Sequence, residues 1–282
     1  NGRKFYNLIN LYFYLKNEIK TNISKIKTNA KYIRCTQEAL KKMHFINETF
    51  KPNLDILHKL GLDNVVHKKR FPIIKSNYSL NKTLYNSLKS KIKNNKLIIF
   101  WLSRVIYKNK KSQDYKGVEI FFQSLELLEK LILEDKITII MTKHGHDWEY
   151  FKKEFEDSLI FKKIIFIPHL DKIELYTYLS LPNSILVDEI VKNNMLYGLA
   201  RDALLCDTPI ISNYKDELNI DQNKINTLYA SNKIEISKQI LRVYEKPSII
   251  KEINKLNNKL IKENLNEEIF INYLFENTLI KN

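Results

Sequence analysis

The stretch Leu97-Ile-Ile-Phe-Trp-Leu-Ser-Arg104 begins with six apolar residues and ends with a hydroxyl and a cation. A continuous apolar run of this length is typical of a strand buried on both faces of a parallel sheet. Similar runs follow it, separated by amphipathic segments of helical period. This alternation predicts a doubly wound α/β fold, in which ligands bind beyond the carboxyl ends of the strands. The predicted strands are residues 97–102, 137–142, 163–167, 184–188 and 209–212, and the predicted helices are 117–133, 147–157, 171–180 and 198–206.

On either side of this α/β part the pattern becomes helical. After residue 231 we predict helices at 234–244, 248–264 and 267–280. Ahead of the α/β part, residues 5–27 are predicted to be helical, followed by a short strand at 31–35 and a helix that begins at Gln37. The stretch 71–81 contains Pro72 and several Asn and Ser residues, a composition that favours a linker.

Composition predicts a folded protein without a membrane-spanning helix. Of its 282 residues, 44% are hydrophobic and 11% aromatic, enough to bury a core, and no apolar run reaches the length of a transmembrane helix. Cys35 and Cys206 lie far apart in apolar stretches, which predicts buried thiols in a reducing compartment. The first residues contain no initiator Met and no signal peptide, so we expect the chain to begin partway into a longer protein.

The formal net charge of +15 invites a nucleic-acid interpretation, which the distribution of the charge does not favour. The basic residues are scattered along the whole chain, and no zinc-finger or RNA-binding motif accompanies them. We therefore expect no nucleic-acid partner. The same charge is suited to peripheral contact with anionic lipid.

Glycine is informative here because it is scarce. There are 5 glycines, where ordinary usage would give roughly twenty in a chain of this length. Gly117, Gly145 and Gly198 lie in predicted loops between strands and helices, and Gly117 and Gly198 each begin a predicted helix. The free amides at a helix N-terminus are suited to a diphosphate. Ordinary turn formation is the alternative for each of them.

Charged residues occur at the same strand ends. Arg104 follows the first predicted strand and Lys116 precedes Gly117, so together they could grip a diphosphate and stabilise its charge as it leaves. Asp202 lies about one turn into the helix that starts at Gly198, where an acid can accept hydrogen bonds from ribose. The alternatives are solvated surface cations and a carboxylate favoured near a helix N-terminus.

Four motifs occur in the order seen in the C-terminal half of retaining GT-B glycosyltransferases. They are Trp101-Leu-Ser-Arg104, Tyr115-Lys-Gly117, Tyr197-Gly-Leu-Ala-Arg-Asp-Ala-Leu204 and Thr208-Pro-Ile-Ile211. The chain thus resembles the group 1, family-4-like members of that class. Residues 164–178 resemble the segment that brackets the nucleotide base, and residues 5–40 resemble the end of the acceptor domain. The last helices resemble those that pack across both domains.

The resemblance implies a GT-B-like, Rossmann-like doubly wound parallel sheet with a helical N-terminal remnant and C-terminal helices. Residues 1–75 would be the end of the acceptor domain and the linker, 76–232 the nucleotide-sugar-binding domain, and 233–282 the C-terminal helices. Arg104 and Lys116 would hold the donor diphosphate as the catalytic pair, with no metal. The implied donor-binding residues are Gly145, His169, Asn194, Leu196, Tyr197, Gly198, Leu199 and Asp202. Among these, Asp202 would contact ribose, while Asn194 stands where the family carries a glutamate that contacts the sugar.

The implied activity is transfer of a hexose from a UDP- or GDP-linked donor to a glycan or lipid-linked acceptor, in the synthesis of surface polysaccharide. The donor would be the only small molecule required, with no further cofactor. The enzyme would be cytoplasmic, at the inner face of the membrane. A sugar-nucleotide epimerase and a non-catalytic nucleotide-sugar-binding module remain alternatives, and the neutral Asn194 favours the second. The run His144-Gly-His-Asp147 could hold a metal, although its place after the second strand favours shaping of the nucleotide pocket.

Overall fold

The computed structural model describes residues 46–47, 65–66, 80–92, 97–110, 112, 115–188, 190–191, 198–214 and 225–264. The chain forms two compact units, one of residues 1–69 and 272–282 and the other of residues 70–271. In the first unit, strands β1 (Ile46–Asn47) and β2 (Val65–Val66) pair in parallel. The elements predicted at 5–27, 31–35, from Gln37 and at 267–280, Cys35, and most of the predicted linker lie outside the described residues.

The second unit alternates strands and helices as the sequence predicts. Its elements are α1 (Lys82–Lys91), β3 (Leu97–Trp101), α2 (Val118–Glu126), α3 (Glu129–Leu133), β4 (Ile137–Thr142), α4 (Trp148–Phe155), α5 (Leu159–Lys163), β5 (Ile165–Ile167), α6 (Lys172–Leu179), β6 (Ser184–Val187), α7 (Gly198–Leu205), β7 (Ile210–Ser212), β8 (Leu228–Tyr229), α8 (Lys233–Glu245) and α9 (Ser248–Asn264).

Strands β3 to β8 form one six-stranded sheet in the order β5-β4-β3-β6-β7-β8, and all of its pairs are parallel. The chain runs outward from β3 through β4 to β5, and then crosses back to β6 on the other side of β3. The strand order therefore reverses between β3 and β6. In sheets of this type, ligands bind at such a switch point, beyond the carboxyl ends of the strands. The predicted doubly wound sheet is confirmed.

The apolar run that predicts the fold is buried on both faces of the sheet. Leu97, Ile99 and Trp101 pack into one core with residues of α2, α4 and α8. Ile98 and Phe100 point to the opposite core, which α1, α6 and α7 cover. Because neither face of β3 meets water, the strand is apolar throughout instead of alternating apolar with polar residues.

The structure differs from the sequence prediction in several local elements. The helix predicted at 117–133 is two helices, α2 and α3. The strand predicted at 163–167 begins only at Ile165, because α5 precedes it with Ser158 as its N-cap, the side chain accepting from Phe161 N at 3.0 Å. Helix α1 was not predicted, although Asn81 caps it by accepting from Leu84 N at 3.0 Å. The two-residue strand β8 also went unpredicted.

Candidate functional site

The carboxyl edge, where the parallel strands of the sheet end, gathers polar side chains at the switch point. Asp188 directly follows β6 and has no exposed surface. Its carboxylate accepts a hydrogen bond from Ser103 Oγ at 2.5 Å and is paired with Lys116 Nζ, 3.2 Å from one oxygen and 3.4 Å from the other. Ser103 and Lys116 both belong to the connection after β3. We call Ser103, Lys116 and Asp188 the switch-point cluster.

Lys116 reaches this cluster from a tightly constrained backbone. Gly117, the N-cap of α2, has φ 89°, in the left-handed region that glycine favours. A Cβ atom at Gly117 would lie 2.5 Å from Val191 Cγ2. The carbonyl of Lys116 accepts from Ile190 N at 3.2 Å. The start of α2 is therefore held against the chain that leaves β6, and this packing fixes where the Lys116 side chain begins.

The loop after β4 docks on the loop after β3 through its backbone. Gly145 has φ 134°, and a Cβ there would lie 2.3 Å from the carbonyl oxygen of Val105. Asp147 accepts from Tyr107 N at 2.8 Å and from Lys108 N at 2.9 Å, and these two bonds hold the pKa of Asp147 below its usual value. The His144-Gly-His-Asp147 run thus joins two loops. Among the residues that the structure describes, no group of three or more His, Cys, Asp or Glu is arranged to hold a metal ion.

Two imidazoles lie together at the same edge. The rings of His144 and His169 have centroids 4.4 Å apart and an interplanar angle of 38°. Burial lowers the pKa of His144, and the nearby His169, Arg104 and His146 lower it further. The charge of Arg104 contributes to this lowering, and Arg104 is an exposed residue that directly follows Ser103 in the chain. The ends of β3, β4 and β5 together present an arginine and two histidines.

Asp202 lies in a second acid–lysine arrangement, between α6 and α7. Its carboxylate is 2.6 Å from Lys172 Nζ and accepts from the Tyr176 hydroxyl at 3.3 Å. We call Lys172, Tyr176 and Asp202 the helix-pair cluster. Burial alone would lower the pKa of Lys172, but the hydrogen bond and charge of Asp202 outweigh it and the pKa is raised. Both carboxylate oxygens of Asp202, the residue predicted to contact ribose, therefore bind side chains of α6.

The structure places four of the ten predicted site residues in connections that follow strand ends and three on helix α7. Arg104, Lys116, Gly145 and His169 follow the ends of β3, β4 and β5, while Gly198, Leu199 and Asp202 lie on α7. Asn194, Leu196 and Tyr197 lie outside the described residues.

The three loop glycines differ in what their backbones require. Gly117 and Gly145 have positive φ, whereas no such φ occurs at Gly198, and a Cβ there would meet nothing within 4 Å. The scarcity of glycine in the chain therefore predicted correctly that the backbone at Gly117 and Gly145 requires glycine. At Gly198 the structure shows no such requirement.

Sequence reasoning missed the partners of the predicted residues. Asp188 was treated only as the end of a strand, and neither Ser103 nor Lys172 was selected. One signal was available for Asp188: an acid that directly follows a fully apolar strand in the middle of a parallel sheet lies at the ligand edge. Its pairing with Lys116, 72 residues away in sequence, left no local pattern.

Comparison with solved structures identifies the architecture as that of GT-B glycosyltransferases. Anabaena HepE in complex with UDP and glucose matches with a TM-score of 0.60 at 11% identity, covering 88% of this chain and 66% of HepE. A glycosyltransferase from Rickettsia africae matches with a TM-score of 0.61 at 14% identity, covering 87% of this chain and 67% of that enzyme. Sucrose-phosphate synthase from Thermosynechococcus elongatus matches with a TM-score of 0.61 at 10% identity, covering 94% of this chain and 66% of the synthase.

These likenesses show the fold alone, because sequence identity is low. The chain spans about two thirds of the length of each of these three proteins. No protein-family model and no curated protein matches it by sequence. In the part of the chain that the structure describes, no helix has the length and apolar character needed to cross a membrane.

Proposed function

We propose that this chain is the donor-binding part of a glycosyltransferase that uses a nucleoside-diphosphate sugar. One observation carries the proposal: Arg104, Lys116 and the neighbouring rings of His144 and His169 all follow the carboxyl ends of β3, β4 and β5, on the side of the sheet where the strand order reverses at β3 and β6. A doubly wound sheet binds ligands at this point, and grouped cations there suit a diphosphate. The GT-B architecture of the solved neighbours supports the same function.

In this proposal Arg104 and Lys116 act on the leaving diphosphate. Charge develops on its oxygens as the glycosidic bond breaks, and fixed cations stabilise that charge without a required metal. The loop geometry supports such preorganisation, because Gly117 and Gly145 lock the segments that carry Lys116 and His144. His169 would contact the base, and Asp202 would accept from ribose after exchanging its present partners Lys172 and Tyr176.

The finer features of the proposal follow the family resemblance. The donor is UDP- or GDP-linked, the transferred group is a hexose, and the anomeric configuration is retained. The acceptor is a glycan or lipid-linked sugar of a surface polysaccharide, and the basic chain works at the cytoplasmic face of a membrane. Asn194 and the backbone of residues 196–199 would contact the sugar and phosphates. Residues 1–75 would belong to the acceptor domain, and residues 233–282 would form the C-terminal helices.

A non-catalytic nucleotide-sugar-binding module is the second candidate. It is favoured by Asn194, which carries no charge where the resembled family has a glutamate, and by Asp202, whose carboxylate is engaged with α6. Such a module would bind the nucleotide and never release the sugar. Turnover therefore separates the two candidates.

A thermal-shift screen against UDP, GDP, CDP and ADP, followed by assay of diphosphate release from the matching sugar nucleotide, tests the proposal. A ligand that binds only the folded state at 100 times its Kd adds about 2.7 kcal/mol to the free energy of unfolding, so a binding nucleotide raises Tm clearly. We expect one nucleoside diphosphate to do so, and Arg104→Ala to abolish most of the shift. Lys130→Ala, at an exposed lysine on α3, is the control. If none of the four nucleotides raises Tm, both candidates are wrong.

A further inference from the structure

The acid of the switch-point cluster stands in an unexpected place for a site that binds an anion. Asp188 lies at the carboxyl end of β6, beside β3, with no exposed surface. A carboxylate repels a diphosphate, and burial weakens the screening of that repulsion by water. Burying a carboxylate also costs several kcal/mol unless good partners offset it. Ser103 and Lys116 nevertheless hold the Asp188 carboxylate in this position, and the placement of a negative charge there needs a functional explanation.

We propose that Asp188 is a permanent counter-ion of Lys116. Its carboxylate competes with the nucleotide for the Lys116 ammonium group and so eases release of the nucleoside diphosphate after transfer. The inference rests on the proposed function, in which Lys116 holds the diphosphate. It assigns a role to a residue that contacts no phosphate itself and acts through Lys116.

The unequal exposure of the two partners supports competition. The Asp188 side chain is fully shielded, whereas 20% of the Lys116 side chain reaches solvent. The ammonium group carries several hydrogens, so it can be bound to Asp188 on one side and still meet an anion on the other. An incoming diphosphate must therefore share Lys116 with a charge that is already in place. With Asp188 neutralised, one fixed negative charge beside Lys116 is gone, and the nucleotide meets less competition for this cation.

The Ser103 hydroxyl keeps this counter-ion from turning away. It donates to Asp188 at 2.5 Å, and it comes from the residue directly before Arg104. The carboxylate is thus fixed by one neutral donor and one cation, and the cation is the partner that an anion can share. If Asp188 only held β3 and β6 together, the nucleoside part of the ligand would respond to its loss as much as the phosphates would.

Titration calorimetry with UDP and with uridine, on wild type and Asp188→Asn at fixed pH and ionic strength, tests the proposal. If the thermal-shift screen selects another nucleotide, that nucleoside diphosphate and its nucleoside replace UDP and uridine. We expect Asp188→Asn to bind UDP about tenfold more tightly, because a like charge near the phosphates is gone. Uridine affinity stays unchanged, which also reports an intact fold. Asp188→Ser, smaller and equally uncharged, is the second variant and must shift UDP affinity in the same direction.

Two controls separate the charge of Asp188 from its packing. Ser103→Ala removes a hydrogen bond to the same carboxylate and keeps its charge, so UDP binding should not tighten. In a Lys116→Met background, Asp188→Asn should no longer tighten UDP binding, since the shared cation is absent. Circular dichroism confirms that each variant is folded at the temperature of measurement.

Several outcomes overturn the proposal. Weaker or unchanged UDP binding in Asp188→Asn does so, as does an equal gain for uridine or an equal gain in the Lys116→Met background. Each of these leaves nucleotide binding by the wild type, and with it the proposed function, intact. If the wild type binds no nucleoside diphosphate, the proposed function fails and this inference fails with it.

Discussion

The carboxyl edge of the sheet holds two acid–lysine pairs that water reaches very differently. In the switch-point cluster, Asp188 is fully shielded and Lys116 is 20% exposed. In the helix-pair cluster, the Asp202 side chain is 10% exposed and that of Lys172 is 59% exposed, although its ion pair is shorter, at 2.6 Å against 3.2 Å. Distance alone would rank the second pair as stronger. Burial reverses the order, because the energy of an ion pair depends on what happens to each charge when its partner is lost.

The surrounding backbone follows the same division. Near the switch-point cluster, Gly117 and Gly145 have positive φ and lie in contact with neighbouring segments. Near the helix-pair cluster, Gly198 is exposed and has open space around it. One side of the edge is therefore a set of interlocked loops, and the other is a pair of helices joined by the contacts of Asp202. In the proposed function, the first side provides fixed charge and the second exchanges its contacts for those of a ligand.

Replacing the lysine of each pair should give the largest difference in stability between the two clusters. Lys116→Met leaves Asp188 buried without its cation, and we expect the free energy of unfolding to fall by about 3 kcal/mol. Lys172→Met removes a mostly exposed partner, and the expected loss is below about 1 kcal/mol. Urea denaturation measures both. Equal losses would show that burial does not separate the two pairs, and Asp188→Asn/Lys116→Met should recover part of the first loss.

A smaller difference in stability is expected between Gly145→Ala and Gly198→Ala. At Gly145 a Cβ would approach three backbone atoms of Val105 at 2.3, 2.5 and 2.8 Å with φ at 134°, so Gly145→Ala should cost about 2 kcal/mol or more. At Gly198 nothing lies within 4 Å, and Gly198→Ala should be neutral or stabilising by up to about 1 kcal/mol, as alanine restricts the unfolded chain. Thermal denaturation of both variants checks this. A destabilised Gly198→Ala would show that α7 needs a glycine after all.

The sequence predicts one side of this comparison better than the other, for a physical reason. Strands buried on both faces leave continuous apolar runs, so β3, β4 and β6 were predictable, whereas β8 has two residues and no period to detect. Scarcity of glycine identified Gly117 and Gly145, since left-handed backbone is a local property. The pairs Lys116–Asp188 and Lys172–Asp202 join residues 72 and 30 positions apart, and no local pattern encodes such contacts.

The smallest expected effect is a pH dependence on the interlocked side, at His144. Burial, His169, Arg104 and His146 lower the pKa of His144 in the folded protein below its ordinary value. The unfolded chain therefore takes up a proton first as pH falls. Stability is unaffected well above pH ~6.5, the ordinary pKa of histidine, and falls from there down to the folded pKa, below which the loss is complete. The loss is modest, because His144 is only partly buried and solvent screens the charges around it.

The free energy of unfolding of wild type and His144→Asn, measured as a function of pH, reveals this contribution. We expect the wild type to lose more stability than the variant as pH falls below ~6.5. His146→Asn, at an exposed position on the same loop, is the matched control. Because His146 contributes least among the groups that lower the pKa of His144, this variant should stay close to the wild type and lose only slightly less stability. A bound nucleoside diphosphate should reduce the difference, because its negative charge favours protonated His144. If His144→Asn loses as much stability as the wild type, or if nucleotide leaves the difference unchanged, His144 does not belong to the charged edge that Arg104 and Lys116 form.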